Sequence, residues 1–87
     1  MNIYDAVNIL RRGLNDCSYE FTSTSYQDRC EGISVSSSGN TIYVSIKMRL
    51  ADPYYKEEVE SNIVSTLNSL RYQYEIPYQI SYEIHYR

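Results

Sequence analysis

Histidine occurs once in this chain of 87 residues, cysteine twice, phenylalanine once and tryptophan not at all. Each scarcity excludes something. A nucleophile–base pair built on histidine has only His85 to draw on, and a structural zinc site needs four His or Cys ligands at short spacings. Cys17 and Cys30 are twelve residues apart in the intervening chain, which is not a metal-ligand spacing. The three glycines, Gly13, Gly32 and Gly39, are isolated, so there is no glycine-rich phosphate loop. No apolar run approaches the ~18 residues that cross a bilayer, and the start lacks a basic-then-apolar leader pattern. A cytoplasmic protein without a membrane segment is therefore expected, with both cysteines as reduced thiols. No cofactor is expected.

Lys and Arg number 8 against 11 Asp and Glu, a formal net charge of −3. That balance argues against the phosphate backbone as the principal partner, because nucleic-acid affinity comes largely from cations neutralising phosphates. Tyrosine is plentiful, with 11 residues. Its ring suits half-exposed sheet positions and interface anchors, since one end is apolar and the other hydrogen-bonds. A chain this short folds as one domain, 1–87, around a single core.

The strongest pattern lies between Thr41 and Leu70. Ile42, Val44, Ile46, Met48 and Leu50 alternate with Thr41, Tyr43, Ser45, Lys47 and Arg49, the period of a half-buried strand. Asp52-Pro53 ends it and opens a helix, with Val59, Ile63, Leu67 and Leu70 on one stripe. Upstream, Asn2 caps a helix over Ile3–Leu14 whose face carries Ile3, Val7, Leu10 and Leu14. Ser18–Tyr26 reads as an edge or irregular strand, with Tyr19 and Phe21 sharing a face with Ser23 and Ser25. Gln27–Gly32 reads as a polar connector, Ile33–Ser36 as a short strand, and Ser37-Ser38-Gly39-Asn40 as the hairpin turn into the strong strand. Beyond Pro77, Tyr78, Ile80, Tyr82, Ile84 and Tyr86 alternate with Gln79, Ser81, Glu83, His85 and Arg87. The predicted fold is α+β in the order α-β-β-β-α-β. It is a two-layer sandwich with both helices on one face of a mainly antiparallel four-stranded sheet.

Ser81, Glu83 and His85 share a strand face and superficially suggest a hydrolytic set. Alternate strand residues lie about 6.7 Å apart, so Ser81 and His85 stand about 13 Å apart, far beyond proton-transfer reach. The chain is accordingly expected not to be an enzyme. Two binding surfaces are predicted instead. Tyr43, Lys47, Arg49, His85 and Arg87 share the outward face of the two strong strands. Tyr54, Glu57, Glu58 and Glu60 cluster at the start of the second helix, where the helix dipole also favours carboxylates.

The first five elements resemble, in their order, the α-β-β-β-α layout of double-stranded-RNA-binding domains. Those domains carry a lysine cluster at the start of the second helix, where this chain reads Tyr54-Tyr55-Lys56-Glu57-Glu58. The ending, strand–helix–strand, also resembles ring-forming assembly modules and phage tail-end proteins. The expected function is a small protein–protein interaction module, such as a phage or mobile-element inhibitor that occludes a host complex. A structural assembly subunit, which would form a homo-oligomer, is the alternative, and nucleic-acid binding across the sheet face stands third.

Overall fold

In a computed structural model the chain is described at residues 1–22 and 28–87. Helix α1 spans Ile3–Cys17. The Asn2 side chain accepts from the Asp5 N–H, closing the first turn as the sequence suggests. Ala6, Val7, Leu10 and Leu14 form its buried stripe.

The predicted strand over Ser18–Tyr26 is not there in its described part. Ser18–Glu20 is a 3₁₀ turn that continues α1, and Phe21 caps it and is fully buried. The helical period explains this. Phe21 follows Leu14 by seven residues, as Leu14 follows Val7, so continued winding delivers its ring to the same core. The remainder of that predicted strand, Ser23 to Tyr26, and Gln27 of the predicted connector lie outside the described residues.

Strand β1 runs Arg29–Ser38, four residues earlier than the sequence suggests, and β2 runs Thr41–Arg49. They pair antiparallel through the two-residue turn Gly39-Asn40, with Gly39 at φ +60°. Cys30 pairs with Met48 and Gly32 with Lys47, which leaves Glu31 as a bulge. That bulge, next to a glycine, is why the segment imitates a connector in sequence.

Asp52 caps a short 3₁₀ turn, Pro53–Tyr55, by accepting from the Tyr54 N–H, and helix α2 follows over Lys56–Gln73. Strand β3, Gln79–Tyr86, lies parallel to β2. The described sheet therefore has three strands in the order β1-β2-β3, one antiparallel pair and one parallel pair. This corrects the four-stranded, mainly antiparallel sheet: the α+β class and the two helices hold, and the described part of the first predicted strand opens as a 3₁₀ turn instead.

One core joins the layers. Ile42, Val44, Ile46 and Met48 of β2 meet Leu10 and Leu14 of α1 and Val59, Ile63 and Leu67 of α2. The opposite face of the sheet carries exposed or half-buried residues at the alternating positions of β2 and β3. Among the described residues no helix is long and apolar enough to cross a membrane.

Candidate functional site

The uncovered sheet face is three strands wide, and its register assembles residues far apart in sequence. Arg29 pairs with Arg49, and the Arg87 N–H donates to Met48 O at 2.9 Å, continuing β3's register beside Arg49. Three arginines therefore stand side by side at one end of the face. Lys47 lies one step inward, between Gly32 and His85. Next come Ser34, Ser45 and Glu83, then Ser36, Tyr43 and Ser81.

Glu31 balances part of this charge. It reaches Arg87 at 3.3 Å across the middle strand and Arg29 at 3.7 Å. Its side chain is only 19% exposed, against 60% and 72% for the two arginines. Glu83 pairs with His85 at 3.2 Å along the same strand. Lys47 and Arg49 form no ion pair among the described residues, so their charge is uncommitted. Four permanent cations face two carboxylates, leaving this end of an acidic chain locally positive.

Beside the cations the face is hydroxyl-rich. Ser34, Ser36, Ser45, Ser81, Glu83 and Tyr43 line a shallow depression of about 360 Å³. Among the described residues Tyr43, 47% exposed, is the one tyrosine on this face, with the His85 imidazole two registers away. The structure thus brings together Tyr43, Lys47, Arg49, His85 and Arg87, as the alternation in β2 and β3 suggests. It adds Arg29 and Glu31, which sequence reading assigns to a connector. Their only signal is the pattern Arg29-Cys30-Glu31, broken by Gly32.

The acidic group sits in the helix layer. Glu57 and Glu58 occupy the first turn of α2, where the dipole favours negative charge. The Tyr82 hydroxyl donates to Glu60 at 3.1 Å, and Lys56 lies 5.0 Å over the Tyr86 ring. These contacts tie α2 to β3, so Glu60 is engaged in holding the fold. Tyr54 is 81% exposed and meets Tyr55 edge-on at 5.2 Å.

Cross-strand geometry bears on catalysis. Ser45 stands opposite Glu83, and His85 stands opposite Lys47. Both cysteines are free. Burial raises the Cys30 thiol above its ordinary pKa, and burial followed by the nearby Glu20 and Asp16 carboxylates raises Cys17. Each is correspondingly a poor nucleophile at neutral pH. Among the described residues no three His, Cys, Asp or Glu side chains group as a metal site.

The chain matches no protein-family model, and comparison with curated proteins and with solved structures finds no similar protein.

Proposed function

We propose that this is a cytoplasmic, non-catalytic binding domain that seats an acidic protein surface on its uncovered sheet face. One observation carries the reading. The register gathers Arg29, Lys47, Arg49 and Arg87 at one end of a face that, among the described residues, no helix covers, although the chain is acidic overall. Lys47 and Arg49 steer and hold carboxylates, Tyr43 supplies the contact ring, and the serine-lined depression receives a polar side chain. A domain this small acts by covering a partner's surface, which suits an occluding inhibitor of a larger complex.

The test is affinity capture of a partner by the wild type and by Lys47→Glu/Arg49→Glu. The expected result is a discrete protein captured at physiological ionic strength, weakened by added salt, and lost in the charge-reversed variant. A captured protein indifferent to that reversal would overturn the reading. Circular dichroism confirms that the variant folds, as both residues are exposed.

Nucleic-acid binding is favoured by the arginine row alone. Single-strand binders stack successive bases on several aromatics, whereas among the described residues this face presents one tyrosine, Tyr43. A low-salt gel shift abolished by Arg49→Glu would move the proposal to that class.

A further inference from the structure

The two edges of the sheet are unlike. On β1, the Glu31 bulge interrupts the ladder and the Arg11 guanidinium donates to Val35 O at 3.1 Å. Both devices discourage another strand from adding there. Strand β3 has neither. Its register with β2 runs unbroken from Gln79 to Tyr86, with no proline and no bulge.

The direction of its free groups follows from one bond. The Arg87 N–H donates to Met48 O, so odd-numbered residues of β3 turn their backbone toward β2. Ile80, Tyr82, Ile84 and Tyr86 turn their N–H and C=O toward the open edge. The side chains of these residues, half-buried or 39% exposed at Tyr82, stand along the helix side of the same edge. An unprotected ladder flanked by apolar side chains accepts a further strand.

We propose that the occupant is a second copy of this chain, pairing β3 with β3 antiparallel about a two-fold axis at Ile84. Complementarity between Glu83 and His85 selects both the occupant and the register. Centring on Ile84 sets Glu83 opposite His85 of the second copy, twice, at positions where facing side chains approach most closely. It also sets Tyr82 opposite Tyr86. Centring on Glu83 instead opposes two carboxylates, and centring on Tyr82 sets Glu83 against Ser81, away from His85. The Ile84 axis makes a six-stranded sheet whose uncovered faces lie on the same side. The inference concerns the backbone edge of β3, while Glu83 and His85, which set its register, also stand on the face proposed for the partner.

Light scattering across a concentration series tests it. The mass rises from 10.2 kDa toward twice that value as concentration increases. Substituting His85→Glu places like charges opposite each other twice and raises the dimer dissociation constant about tenfold. The swap Glu83→His/His85→Glu restores it. In the wild type, amide exchange at Tyr82 and Ile84 slows with concentration, which a dimer formed through another surface does not produce. A strict monomer, a dimer indifferent to His85→Glu, or concentration-independent exchange at those two amides overturns the proposal.

Discussion

Glu75 is the one non-glycine described residue in the left-handed region, at φ 51°. It follows α2, where the Glu75 N–H donates to Tyr72 O and the Ile76 N–H donates to Arg71 O. This is the Schellman closure, with buried Ile76 as its hydrophobic contact. A side chain at that φ costs about 1 kcal/mol that glycine avoids. Glu75→Gly should therefore raise the melting temperature by about 4 °C in a scanning calorimeter. Asp28 shows the opposite dependence. It is buried, and its carboxylate accepts from the Ala51 N–H at 2.7 Å, pinning the start of β1 to the end of β2. Asp28→Ala leaves that donor unpaired and should cost about 2 kcal/mol in urea denaturation. Neither role was legible in sequence. Glu75 lies in an ordinary polar stretch, and Asp28 gains its partner only when residues 23 apart in the chain are brought together.

Among the elements, the two helices meet where Gly13 removes a side chain. A Cβ there would lie 2.7 Å from Leu70 Cδ2, so the glycine sets how closely α1 approaches α2. Gly13→Val should cost about 2 kcal/mol through overpacking, measured by chemical denaturation. It should cost less in a Leu70→Ala background. In sequence Gly13 reads as the weakening of a helix end, because its packing partner is 57 positions away. Apolar periodicity revealed β2, β3 and both helical stripes, since burial imposes those periods directly. It failed at Phe21, where Ser, Thr and Tyr propensity suggested a strand and continued winding of α1 buried the ring. Phe21→Ala should cost about 3–5 kcal/mol, a core loss no exposed edge strand would show.

At the scale of the whole molecule, the groups with perturbed acidity share one sign. Burial raises Cys30 and Tyr86, and hydrogen bonding to Glu60 raises Tyr82. The unfolded chain therefore releases these protons first as pH rises. Their contribution is complete below about pH 8.5 and is lost through the alkaline range as pH climbs past the folded-state values. The urea midpoint should fall between neutral and strongly alkaline pH, and Cys30→Ala should flatten its initial decline. The candidate face was half legible. Alternation in β2 and β3 identified five of its members, while their alignment with Arg29 depended on the unseen bulge in β1.

The two joints of the sheet also differ in how far apart in the chain their partners lie. The β1–β2 hairpin closes over two residues, whereas β2 and β3 meet only after α2 has intervened. Local closure is fast and distant pairing is slow, so the hairpin is expected in the folding nucleus and β3 is expected to dock late. Substitutions at Gly39 should then slow refolding, whereas Ile84→Val should chiefly hasten unfolding. On that order, the strand that completes the sheet should also be the first to leave it.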